Sequence, residues 1–242
     1  MKKYLWAIIT VLIIAAFVGG FFVWRDYRNK KAADQQAAAD AAFIQSNPSV
    51  PATPSLESVT KPAPTLVYPM TNFSSRTTTN LFGAYFAPGG ATNPDMAVCP
   101  NATYYTGYHT AVDLETAATE VNQNVPVFAI ATGTVKQVSE VSGYGGLIVV
   151  GYNLGGADYT AYYGHLDLST AKVKNGEAVT VGETLASLGA ACSSSNGVVR
   201  KHLHFGLHNG AALVVSGYVA SKSELSSWTD PVVLLSSLGA TL

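Results

Sequence analysis

The sequence predicts a mainly β domain, a largely antiparallel sheet of short strands, carried behind one transmembrane helix and a Pro-rich linker. Three observations predict it. Residues 5–24, LWAIITVLIIAAFVGGFFVW, contain no charge, and about 20 apolar residues at 1.5 Å each cross a hydrocarbon core of about 30 Å. Pro48, Pro51, Pro54, Pro62 and Pro64 follow among Ser, Thr and Ala, a density of proline that gives an extended spacer without internal packing. Beyond Pro126 the chain breaks into short runs rich in Val, Ile and Tyr, divided by Gly or Asn. That is the pattern of strands and hairpins, not of strands alternating with helices.

Composition agrees with a folded body. The chain has 242 residues, of which 48% are hydrophobic and 12% charged, which excludes wholesale disorder and suggests one or two domains. Six of its 14 basic residues and one of its 15 acidic ones lie in the first 31 positions, so the remainder holds 8 basic against 14 acidic residues and is net −6. Such a domain lacks the footprint that neutralises phosphates, so no nucleic acid is expected as a partner. Two cysteines exclude a multi-disulfide scaffold and a four-cysteine zinc site.

Residues 1–4 form a short tail and residues 5–24 the anchor, with Trp6 and Trp24 near its ends, where indoles prefer the interface. A cleaved signal would need small residues after the apolar run; bulky Phe21, Phe22, Val23 and Trp24 stand there instead. Two basic residues precede the span and four soon follow it, which by the positive-inside rule favours a cytoplasmic C-terminal side. The site chemistry below favours the opposite side, and a single-pass membrane protein with its domain outside the cytoplasm is the expectation adopted. Residues 25–65 are the polar, Pro/Ala-rich linker, and residues 66–242 the folded domain. Strands are expected at Val127–Ala131, Thr134–Glu140, Gly146–Tyr152 and Asp158–Leu166, with Ala131–Thr134 and Gly143–Gly146 as turns between them. Glu177–Gly189 supplies two more around Gly182. HLHFGLH and ALVVS are expected to form a last pair, with a little helix near Ser223–Trp228. No internal repeat is present.

All five histidines fall in the folded part: His109, His165, His202, His204 and His208. His109 and Asp113 form H-x-x-x-D, a spacing that puts both side chains on one face whether the backbone is helical or extended. His202 and His204 form H-x-H in an apolar run, and on a strand the period of two points both imidazoles the same way. A hydrolytic zinc site wants three His or carboxylate ligands and an open position, which His109, Asp113 and one of His202 and His204 satisfy. A structural zinc site, usually closed by four ligands, fits less well.

These motifs, with their neighbours, resemble the lysostaphin-type (LytM-like) zinc endopeptidases that cut peptidoglycan cross-bridges. The likeness runs from about Leu81 to Pro231, through YHTAVDLE, VFAIATGTV read as a hairpin, SGYGGLIVVGY, YYGHL, KVKNGEAVTVGETLASLG and KHLHFGL in matching order and spacing. It implies an antiparallel β-sheet groove related to the duplicated hybrid motif. It further implies Zn2+ on His109, Asp113 and His204, with His165 and His202 as catalytic histidines and peptidoglycan peptide cross-bridges as the target. One imidazole would take a proton from water and the other would hydrogen-bond the oxyanion. Non-catalytic relatives of this fold generally lack ligand positions, whereas this chain keeps every one.

The chain departs from the family at Ala111, where Gly is usual, and at Gly206, where a Glu usually follows H-L-H-F. The second departure removes a carboxylate and leaves ligand orientation to other outer groups. Val199-Arg200-Lys201 replaces a small turn and is expected to place two charges at the groove rim, solvated or facing acidic stem peptides. Tyr108, beside His109, is the expected groove wall and substrate contact, while His208 shares the strand parity of His202 and His204 without being assigned as a ligand. Cys99 and Cys192 flank the site in the family-like arrangement; a disulfide and two separate thiols are both open.

Overall fold

The computed structural model describes residues 65–88 and 93–241, which lie within one compact unit, Pro62–Leu242. Among the described residues no helix is long and apolar enough to cross a membrane. The span expected at 5–24 and all but the last residue of the linker expected at 25–65 lie outside them.

Twelve strands occur among the described residues. They are β1 (Tyr85–Phe86), β2 (Gly107–His109), β3 (Ala111–Glu115), β4 (Pro126–Phe128), β5 (Gly133–Val141), β6 (Gly145–Leu154), β7 (Ala157–Asp167), β8 (Ala178–Val179), β9 (Thr184–Leu188), β10 (His202–Asn209), β11 (Tyr218–Val219) and β12 (Trp228–Thr229). Nine form one sheet in the order β12-β10-β7-β6-β5-β8, with β3 also on β10 and β9 joining β4 to β7; β1, β2 and β11 form a small second sheet. Every strand pairing is antiparallel. The mainly antiparallel β architecture is the expected one.

Alternation sorts the side chains. On β10, Leu203, Phe205 and Leu207 enter the main core with Val112 and Leu114 of β3, Ile148 and Val150 of β6, and Ala161 and Tyr163 of β7. On the opposite face Leu147, Val149, Tyr162, Tyr144 and Trp228 make a second apolar cluster. The central strands are therefore covered on both sides, which explains their near-continuous apolar runs.

Three short helices cap the ends of loops. In α1 (Pro94–Val98) the Asn93 side chain accepts from the Asp95 N–H and proline takes the first turn, as missing helix donors require. In α2 (Lys222–Leu225) Ser221 and Glu224 form a capping box, and in α3 (Pro231–Ser237) Asp230 accepts from Val232 and Val233.

Three local expectations are corrected. β4 does not fold back on β5; it pairs with β9, because Val127, Ala129 and Ile130 are fully buried and a hairpin would leave one face of that run open. Ala212–Ser216 is not a strand but a loop with Leu213, Val214 and Val215 exposed, and β10 pairs with β3, β7 and β12 instead. The helix expected near Ser223–Trp228 ends at Leu225, and Trp228 begins β12.

Candidate metal centre

Register decides which histidine of H-x-H meets Asp113. In the β3–β10 pair His204 lies opposite Asp113 and His202 opposite Glu115, and directly opposed residues are the closest across a ladder. His109, at the end of β2, shares the face of Asp113 across the break at Thr110, as the even spacing predicts.

Three buried atoms then converge. His109 Nε2 lies 3.3 Å and His204 Nδ1 3.2 Å from Asp113 Oδ1, and the two nitrogens are 3.2 Å apart. Ligand atoms about 2.0–2.1 Å from a tetrahedral zinc would be separated by roughly 3.3 Å, so the triangle already has the edge length of that ion. Asp113 Oδ1 is buried without a hydrogen-bond donor, an expense that a cation would relieve. The residues fit zinc. His109 Nδ1 faces the Leu81 carbonyl at 3.2 Å; donating to it fixes the tautomer that leaves Nε2 free for a metal.

His165 and His202 face the same cavity, their rings 4.5 Å apart. His165 Nδ1 donates to the Asn196 carbonyl and His202 Nδ1 to that of Arg200, each at 2.8 Å, so both turn Nε2 away from those anchors. His165 reaches its place by a bulge: Gly146 pairs with Leu166 but Ile148 with Tyr163, two β7 residues answering one on β6. The extra residue sends Leu166 to the core and His165, at φ 65°, to the cavity. Such a backbone costs about 1–2 kcal/mol for a residue other than glycine and is held here by the Tyr144 carbonyl accepting from the His165 N–H at 2.9 Å. Gly145 is required nearby: its φ is +61°, and a Cβ there would stand 2.3 Å from the Ser195 oxygen. That close approach carries Asn196 to His165.

In the metal-free chain burial pushes His165 well below the ordinary imidazole value, helped by His202 and His204. Burial likewise takes His204 down to about 4. Burial also works against charge on His202, but the Asp113 carboxylate and its hydrogen bond outweigh it and raise that group. For Asp113 burial acts to raise the value, and the neighbouring His202 and His109 overcome it and hold the carboxyl ionised. Tyr105, pushed up to about 12 by burial and then by Asp95, and Tyr144 and Tyr218, raised chiefly by burial, remain phenols at neutral pH.

The cavity holds about 240 Å³, small beside the roughly 300–1,000 Å³ of small-molecule pockets, and suits a strip of backbone better than a bulky ligand. Its aromatic walls are Tyr105 stacked on Tyr218 at 5.1 Å and Tyr144 edge-on to His204. Tyr108 is not among the lining residues; its ring rests on Tyr85, since it alternates with His109 along β2. His208 keeps the expected parity but packs against Trp228, outside the ligand triangle.

The charges expected at the rim are inside. Arg200 is 7% and Lys201 8% exposed. The Lys201 ammonium donates to the Glu120, Val121 and Gln123 carbonyls. Arg200 pairs with Asp95, Asp113 and Glu115 at 2.6, 3.0 and 2.8 Å, and Asn80 donates to Asp113 Oδ2 at 2.6 Å. Asn80 and Arg200 hold Asp113 Oδ2 and Asp95 holds Arg200, three positions that sequence reasoning missed or misplaced; the available signal was a scarce cation two residues before H-x-H. Cys99 and Cys192 are bonded to each other. Gly206 faces Ala111 across β3–β10, and a Cβ on it would stand 3.2 Å from the Thr110 oxygen and 3.4 Å from the Ala111 Cβ. The two departures from the family pattern thus occupy one tight crossing.

Residues 107–215 match the model of peptidase family M23. Among solved structures the chain resembles LytU at 22% identity, over 64% of this chain and 81% of that one, with a TM-score of 0.42. It resembles lysostaphin from Staphylococcus simulans at 21%, over 68% and 50%, with a TM-score of 0.43, and thus spans half of that chain. A zinc containing peptidase from Vibrio cholerae is similar at 25%, over 60% and 36%, with a TM-score of 0.38. No curated protein matches the chain. The family match spans His109, Asp113, His165, His202 and His204 together, so residues 107–215 are similar to peptidase family M23 over the whole of the candidate site.

Proposed function

We propose that the domain hydrolyses peptide cross-links of bacterial peptidoglycan, with one Zn2+ held by His109, Asp113 and His204. The observation that carries this reading is the triangle of buried ligand atoms, one of them a donorless carboxylate oxygen, with two further imidazoles in the same cavity. Bound zinc supplies a Lewis acid that polarises the scissile carbonyl and acidifies water. His165, kept neutral by burial, takes a proton from the attacking water as general base. His202, whose proton the Asp113 carboxylate favours, donates a hydrogen bond to the developing oxyanion and keeps its proton, while His165 passes the proton it took from water to the leaving amine as the C–N bond breaks. The tyrosine walls exclude water and align the backbone strip. No covalent enzyme intermediate is needed.

The domain is tethered by residues 5–24 and works outside the cytoplasm of a bacterial cell. What supports the outward orientation, against the positive-inside count, is the Cys99–Cys192 bond, since disulfides persist in oxidising compartments.

The test is zinc content and muropeptide release by the full chain beside Asp113→Ala and His165→Ala. About one zinc per chain and cleavage in the parent are expected, both lost in Asp113→Ala, with zinc kept and cleavage lost in His165→Ala. A parent without zinc, or an active Asp113→Ala, overturns the reading. Extraction of the full chain from membranes by alkali would remove the tether from it.

A further inference from the structure

We propose that Arg200 is the positioning residue of the metal centre, making Asp113 a one-oxygen ligand by occupying its second oxygen. The proposal rests on the zinc reading above and adds the group that orients its carboxylate. A carboxylate can offer a metal one oxygen or both. Here the division is built into the protein: Oδ2 receives Asn80 Nδ2 at 2.6 Å and Arg200 Nη2 at 3.0 Å, while Oδ1 receives no donor and lies between the two ligand nitrogens.

Every nitrogen of the guanidinium is committed. Nε donates to Glu115 at 2.9 Å, Nη1 to Asp95 at 2.6 Å, and Nη2 to Glu115 at 2.8 Å as well as to Asp113. This arrangement uses the planar fork, which a lysine ammonium on a flexible stem does not reproduce. The flanking acids have a second effect. A lone buried cation 3.0 Å from Oδ2 of the ligand carboxylate would oppose a divalent metal ion, and Asp95 and Glu115 cancel that field while holding the fork in place. The Arg200 N–H also donates to Asp95, so backbone and side chain are fixed by one carboxylate on α1. Arg200 thereby stands in for the orientation that Gly206 does not supply in this chain.

The test is Zn2+ affinity of the full chain, by competition with a chromophoric chelator, together with the visible absorption of the Co2+-loaded chain. Arg200→Lys keeps the charge and loses the fork; Glu115→Gln loosens the fork without touching Asp113. Loss of an outer partner typically weakens metal binding by about 10–100-fold, which is the expectation for Arg200→Lys, with a changed Co2+ spectrum; Glu115→Gln is expected to shift both in the same direction and by less. A merely structural role would lower the melting temperature and leave folded protein with parental Zn2+ affinity and Co2+ spectrum, and that result overturns the proposal. If Arg200→Lys does not fold, Glu115→Gln decides alone, an unchanged affinity and spectrum overturning the assignment. A parent chain that binds no Zn2+ would instead sink the zinc reading itself.

Discussion

Removing the Cys99–Cys192 bridge is expected to cost the folded domain about 4.6 kcal/mol. The two cysteines are separated by 93 residues, and closing a loop of that length in the unfolded chain removes about 15.6 cal/mol/K of entropy, or about 4.6 kcal/mol at 25 °C. At roughly 2–4 °C per kcal/mol for a domain of this size, the melting temperature should fall by about 9–18 °C. The bridge also ties α1, which carries Asp95, to the loop that carries Asn196 and leads to Arg200. The Cys99→Ala/Cys192→Ser chain should therefore hold zinc less tightly as well as unfold earlier. Denaturant melts of this variant beside the parent read the first effect, with a thiol count confirming that the parent is oxidised. A fully oxidised parent and a variant within about 1 kcal/mol of it would refute the loop-entropy reasoning.

Restoring a family-like carboxylate with Gly206→Glu should destabilise by about 1–3 kcal/mol, because the new Cβ crowds the Thr110 oxygen, Ala111 and Trp228 and overpacking has that range; a melt at or above the parental midpoint would contradict the packing. His165→Ala should lower kcat by about 10²–10⁴-fold with zinc content unchanged, measured by single-turnover cleavage; zinc loss would make it a ligand. Glu120 is held below the usual carboxyl range first by the hydrogen bond from Arg76, whose fork meets it at 2.7 and 2.9 Å. A lowered folded pKa stabilises above the unfolded value, near 4.3, and that contribution is lost as pH falls through the folded one. Arg76→Met should thus lose stability at neutral pH and converge with the parent in acid, and parallel stability curves would disprove the linkage.

Much of the site was legible because strand parity is a property of sequence spacing. H-x-x-x-D and H-x-H each put two side chains on one face, and the structure keeps both pairs there. What spacing does not contain is register: nothing local to KHLHF says that His204, and not His202, lies opposite Asp113, and only the family resemblance selected it. His165 is a case where parity misleads. Counted from Tyr163 it belongs to the core face, and the bulge reverses it. Arg200 and Lys201 were misread for a related reason, since charge next to a turn is usually solvated, and the acids that draw Arg200 inward come from positions 95, 113 and 115, far away along the chain.

The burial of Arg200 also bears on why this loop departs from a small turn. A buried ion pair gives little net stability when its desolvation is counted, yet removing one partner is costly because the others stay charged. Arg200 faces three such partners, so its substitution would strand carboxylates at Asp95 and Glu115 beside Asp113 and raise the negative field around the ligand oxygen. Metal binding would partly compensate for that charge, but with Oδ2 released the carboxylate would be free to rotate. Geometry and charge therefore make opposite demands on affinity when Arg200 is lost. An Arg200→Met chain that binds zinc more tightly but cleaves more slowly would show charge to dominate affinity and geometry to dominate turnover; weaker binding and slower cleavage together would show geometry to dominate both.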